Sequence, residues 1–125
     1  MTIHDFANLD VAQRAGLKVV HIVVVRLYTG KLYRPWNNAL RGMHATNKDP
    51  LKKQELLKWA TCIAVLYEAI ILLSGETKPA TVFRGLDESW MRLPEEFFTA
   101  AKSKSGFAGG VEMAFMSTTE NKQVL

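Results

Sequence analysis

The chain has 125 residues, of which 48% are hydrophobic and 22% charged, one domain's worth of polypeptide with near-average globular composition. That excludes wholesale disorder and a collagen-like repeat, and Cys62, the only cysteine, excludes an intramolecular disulfide scaffold. The net charge of +4 is uneven: ten basic against four acidic side chains over residues 1–62, and six against eight over 63–125, so the basic surface belongs to the first half and is either plainly solvated or attractive to an anion.

Residues 10–15 have a helix-like pattern. Residues 19–25 are β-branched apart from His21, which by propensity alone predicts a strand, yet they lie between helix-like segments, and packing overrides a propensity of a few tenths of a kcal/mol per residue. Thr29-Gly30 punctuates the run, and residues 36–43 again look helical. Thr46-Asn47-Lys48-Asp49 forms a loop before the clearest element. Asp49 is a good N-cap, Pro50 suits a first helical position, and residues 51–73 carry apolar side chains at spacings of three and four until Ser74-Gly75. The second half of this helix is apolar nearly all round, which predicts a core helix beneath other structure.

After Gly75 the texture changes. Residues 80–84 form a short β-prone run stopped by Gly85. Residues 94–101 begin with Pro94, carry Glu95 and Glu96 in the first turn and are followed by Lys102, the charge order a helix dipole favours. Residues 106–110 read as a turn, and residues 111–116 as a second β-prone run in which Glu112 alternates with apolar side chains. Ser117-Thr118-Thr119-Glu120 matches a capping box and predicts a further helix.

Cys62, flanked by Ile63 and Ala64, is expected to be a buried thiol. The N-terminus has no basic leader before an apolar run, so no secretory signal is expected. The longest apolar stretch, residues 59–73 with Glu68 inside, is short of the roughly 20 residues that span a bilayer. These features predict a reducing, cytoplasmic setting without a membrane partner. His4, His21 and His44 stand at no metal-ligand spacing, so no metal is expected. No nucleophile elbow, Gly-x-Gly-x-x-Gly or Walker phosphate loop occurs. Trp36, Trp59 and Trp90 could stack on bases, but two of them fall in core-facing helical segments, and no nucleic-acid partner is expected.

What remains is Arg84 at the end of one β-prone run and the hydroxyls of Ser117, Thr118 and Thr119 at the end of the next. Two adjacent strand ends face one cleft, where an arginine fork binds phosphate or ribose oxygens and a glycine lets a ligand approach the backbone. A surface arginine, a turn glycine and a capping serine would look the same in sequence.

Val82-Phe83-Arg84-Gly85 followed by Phe115-Met116-Ser117-Thr118-Thr119 resembles the first two signatures of the mono-ADP-ribosyltransferases of the Arg-Ser-Glu class. Tyr28-Thr29-Gly30-Lys31-Leu32-Tyr33 leading into Trp36-Asn37-Asn38-Ala39-Leu40-Arg41 is similar to that family's helical lobe. The resemblance implies an α+β fold: a helical lobe over residues 1–75 and the first strands of an NAD-binding β core over 76–125, together one incomplete domain. It implies transfer of ADP-ribose from NAD or NADP to a protein arginine with release of nicotinamide. Arg84 and Ser117 would be the catalytic and cofactor-binding residues, with Gly85, Thr118 and Thr119 lining the same NAD site, and an acceptor protein would be the partner. Cleavage builds oxocarbenium-like charge on the ribose, which calls for a fixed carboxylate. The family supplies it in a Glu-x-Glu or Gln-x-Glu pair, and the 125 residues contain neither. Glu120, three residues after Ser117, reads as the capping-box acid. The expectation is therefore a partial chain, inactive by itself; the alternative is a non-catalytic NAD-binding or protein-interaction relative.

Overall fold

The computed structural model describes residues 1–43, 46–86, 93–104 and 106–124. His44 and Trp90, singled out above, lie outside the described residues. The chain divides into two compact units, Met1–Pro79 and Ala80–Leu125.

The first unit is helical: α1 (Ile3–Ala7), α2 (Asp10–Arg14), α3 (Val19–Leu27), a π-helical segment (Tyr28–Leu32), α4 (Tyr33–Arg41) and α5 (Pro50–Ser74). The start of α5 follows from its cap. The Asp49 carboxylate accepts from the backbone N–H groups of Leu51 at 2.9 Å and Lys52 at 3.4 Å, and Pro50 has no N–H to leave unsatisfied. Gly75 closes the other end.

Residues 19–25 form helix, not strand. The reason is burial: His21, Ile22 and Val24 of α3 turn inward, where α3 packs on α5. A buried Ile or Val gains about 1.5–3 kcal/mol, several times the helix-propensity penalty of a β-branched side chain. His21 is 1% exposed. Its Nδ1 accepts from the Lys18 N–H at 2.9 Å, which leaves the ring proton on Nε2, and Nε2 lies 3.2 Å from a Glu68 carboxylate oxygen. This histidine thus ties the first turn of α3 to the middle of α5.

Gly30 interrupts the passage from α3 to α4 with a non-helical backbone (φ −89°, ψ −116°). The bend brings Tyr28 and Trp36 within 6.2 Å, and Trp36 and Trp59 within 6.2 Å, ring centre to ring centre. Trp36 is fully buried, and its indole Nε1 has no hydrogen-bond partner among the described residues. An orphaned donor costs about 1–3 kcal/mol, which a large buried ring and two aromatic contacts offset. Nearby, Asn37 Nδ2 donates to the Tyr28 hydroxyl at 3.1 Å. Arg14 and Glu76, 2.8 Å apart, link α2 to the residue beyond the end of α5.

Two expectations for α5 change. Within the first unit, among the described residues, α3 and α4 pack on one face of it, with Leu66 and Ala69 buried, while Leu57, Tyr67 and Ile71 are more than half exposed. Helices on one side cover one side, however apolar the other. The helix is also long and apolar enough to cross a membrane by length and composition, with a mean hydropathy of 1.9 over its most apolar 18 residues. Cys62 is half-buried rather than buried.

The second unit contains a four-residue helix, α6 (Glu95–Phe98), and 3₁₀ turns at Ala100–Lys102 and Lys122–Val124. An ion pair between Glu95 and Lys102 spans α6 and the first of these turns. The expected α+β fold, with the first strands of an ADP-ribosyltransferase-like β core over residues 76–125, is not formed. Among the described residues there is no strand, and a single antiparallel bridge joins Phe83, in the first β-prone run, to Thr119, which lies just beyond the second. Two short runs without a third partner make a marginal sheet, and each is interrupted. The Glu112 side chain accepts from the Ala114 N–H at 3.0 Å, bending the second run where a ladder would have to pass. The helix expected after Ser117 is absent for a related reason. Thr119 is held in the bridge and its hydroxyl accepts from the Asn121 N–H at 3.1 Å, so that Asn121, whose side chain accepts from the Gln123 N–H at 2.9 Å, starts a short 3₁₀ turn instead.

Asp49→Ala is expected to lower the stability of the first unit by about 1 kcal/mol in urea unfolding, the usual worth of an N-cap. At the N-terminus, the Thr2 backbone N–H, and after it the Thr2 side chain, hold the Asp5 carboxyl below the ordinary aspartate range. A carboxyl lowered by folding supports the folded form above its unfolded value and loses that support as pH falls through the lowered one. Fraying of α1, followed by amide exchange at Asp5, should therefore set in on acidification below the ordinary aspartate range, and Asp5→Asn should remove that pH dependence.

Candidate functional site

The residues of interest after Gly75 all belong to the second unit. The Phe83–Thr119 bridge is made by two backbone hydrogen bonds, Phe83 N–H to Thr119 O at 2.7 Å and Thr119 N–H to Phe83 O at 2.9 Å. That single pairing sets Phe83 beside Thr119, whose sequence neighbours are Arg84 and Thr118 respectively. The two motifs are thus adjacent in space through one bridge, without the ladder that would extend them.

Arg84 lies on the wall of a pocket of about 460 Å³, inside the range of small-molecule sites. Leu86, Leu93 and Phe97 supply apolar wall, Met116 and Val111 come from the second β-prone run, and Gly109 and Gly110 lie beside them. Gly109 has φ +123°, a backbone that favours glycine. A side chain on Gly110 would start 3.3 Å from the Phe97 ring, a tight contact that the ring would meet by giving a few tenths of an ångström.

The pocket holds charge of both signs. The Arg84 guanidinium Nη2 is 3.8 Å from Glu112 Oε2, and both side chains are about three-quarters buried. Of the other residues singled out in the sequence, Ser117, Thr118 and Gly85 are exposed and are not in the pocket wall, and Thr119 is half-buried in the bridge. The site therefore brings Arg84 together with Glu112, while the hydroxyl cluster stands at its edge through Met116. In the sequence Glu112 stands out only as a polar residue alternating with apolar ones. A single acid inside the run Val111, Met113, Ala114, Phe115 and Met116 was the available signal, since a carboxylate among apolar neighbours needs a nearby cation.

A cation with a planar fork of donors, set in apolar walls, has the chemistry to receive an anionic group attached to an apolar body. Among the described residues no group of three or more His, Cys, Asp or Glu side chains is gathered for a metal ion.

No family model matches the chain, and neither a curated protein nor a solved structure matches it.

Gly109→Ala should destabilise the second unit by about 1–2 kcal/mol, because the new side chain must occupy a left-handed backbone. Limited proteolysis should show faster cleavage within residues 80–125, with α5 protection unchanged.

Proposed function

We propose that the second unit binds NAD, or NADP, through its pyrophosphate, and that the chain carries the NAD-binding part of a transferase that moves ADP-ribose to a protein arginine. The observation that carries this reading is the pocket with Arg84 on its wall, next to the point where the two motif-bearing segments pair. The resemblance of those motifs to the mono-ADP-ribosyltransferases supplies the reaction, and the chemistry of the pocket supports the ligand.

Each residue has a role in that reading. The Arg84 fork takes phosphate oxygens in charge-assisted hydrogen bonds. Phe97 and the aliphatic walls contact a planar ring. Gly85 gives the ligand backbone access, and Ser117 with Thr118 offers hydroxyls to a ribose at the pocket edge. Thr119 fixes the register through its bridge to Phe83. Loss of nicotinamide breaks the ribose C1′–N bond and leaves positive charge on the sugar, for which an acceptor guanidine nitrogen provides the new bond and loses a proton.

A second reading is favoured by one observation. The 125 residues contain no Glu-x-Glu or Gln-x-Glu pair, so the chain by itself binds NAD without turning it over.

Calorimetric titration of the full chain with NAD tests both parts. Binding is expected for the wild type, at least ~tenfold weaker for Arg84→Ala and about two- to tenfold weaker for Ser117→Ala, the worth of a charged and a neutral hydrogen bond respectively. Equal affinity of wild type and Arg84→Ala would remove the pocket from NAD binding. No release of labelled nicotinamide is expected, and a rate above background would overturn the non-catalytic reading.

A further inference from the structure

The Arg84 guanidinium is already engaged by an anion of the chain itself. Glu112 Oε2 stands 3.8 Å from Arg84 Nη2, and both residues line the same pocket. Glu112 is held in place from the other side, where its Oε1 accepts from the Ala114 N–H at 3.0 Å. That bond orients the carboxylate toward Arg84 independently of the arginine. The distance of 3.8 Å is beyond a hydrogen bond, so the pair is joined by charge attraction in a partly buried setting and not by the forked geometry in which Arg binds carboxylate best.

We propose that Glu112 is a built-in counter-anion, which holds Arg84 until the phosphate of a ligand takes the guanidinium from it. The proposal rests on the reading of the pocket as a phosphate-binding site and adds a competitor inside it. A pyrophosphate offers more charge and two oxygens in the fork geometry, so it outbids a single, off-geometry carboxylate. A ligand without phosphate does not displace Glu112 and gains nothing from Arg84. The carboxylate also stands ready to re-engage Arg84 as the phosphate leaves, so it favours release as well as opposing entry.

The test uses the full chain and three probes: NAD, inorganic pyrophosphate and adenosine. Glu112→Gln keeps an oxygen for the Ala114 N–H and removes the charge. It is expected to bind NAD and pyrophosphate about three- to tenfold tighter than the wild type, the scale of a partly exposed ion pair, and adenosine no tighter. The gain should vanish in the Arg84→Ala background. Weaker or unchanged binding of both anions in Glu112→Gln overturns the proposal, as does an equal gain in the Arg84→Ala background or a matching gain for adenosine.

Failure of the NAD reading is distinguishable. If NAD binds neither protein but pyrophosphate binds Glu112→Gln more tightly than the wild type, the counter-anion stands and the dinucleotide does not. If no anion binds any variant, the proposal is overturned. The wild type provides a measurement that does not depend on the variant folding: the side-chain carboxyl ¹³C resonance of Glu112 should shift as pyrophosphate is added, and an unmoved resonance during saturable binding overturns the displacement.

Discussion

The second unit depends on two backbone hydrogen bonds between Phe83 and Thr119. Bringing these residues together closes a loop of the 35 residues between them, at an entropic cost of about 3 kcal/mol. Two hydrogen bonds contribute roughly 0.5–1.5 kcal/mol each, so the bridge does not sustain itself. What it needs comes from contacts within the loop, the Arg84–Glu112 pair and the close approach of Phe97 to Gly110, and from one outside it, Lys122 Nζ over the Phe83 ring at 6.0 Å. The pocket and the bridge are therefore one cooperative arrangement. Arg84, Phe97, Gly110 and Glu112 line the cavity and are also part of what holds the bridge closed.

The first unit is organised differently, around α5. Its beginning was legible because capping chemistry is local: Asp49, Pro50 and the apolar spacing after them need no tertiary information. Residues 19–25 were ambiguous because their helical state is decided by partners far along the chain. His21 meets Glu68, and Ile22 and Val24 are buried on the side of α3 that packs on α5. No window of the sequence contains both partners. The same limit explains the exposed side of α5. An all-round apolar helix implies cover, but pattern alone does not say how much of the cover lies within these residues, and Leu57, Tyr67 and Ile71 stand exposed.

The candidate site was legible in part. Arg84 stood out because a β-prone run ending in Arg-Gly is a recognisable place for an anion, and the nearness of residues 83 and 119 was implicit in reading the two runs as neighbours. The sheet was not obtained, because β propensity describes side chains that fit a pleated surface and supplies no third strand to build one. Without a continued ladder, Ser117 and Thr118 stay at the exposed edge. Glu112 was underweighted, since its importance lies in a contact with Arg84 across 28 positions of sequence.

Two arginine–glutamate pairs among the described residues show why that contact matters more than its length suggests. Arg14 and Glu76 lie 2.8 Å apart with the arginine 61% exposed, a well-formed pair in a place where water screens it and its net worth is small. Arg84 and Glu112 lie 3.8 Å apart with little solvent around either. Attraction across that gap is less screened, yet the geometric gain of a hydrogen bond is missing. A short exposed pair has little left to gain from a new partner, since water already competes for both ions. A long, sheltered pair is joined without a hydrogen bond between its own two members. The guanidinium in the pocket is consequently the cation of the two with more to gain from an anion of better geometry, and the distance that makes the pair weak is what makes Arg84 receptive.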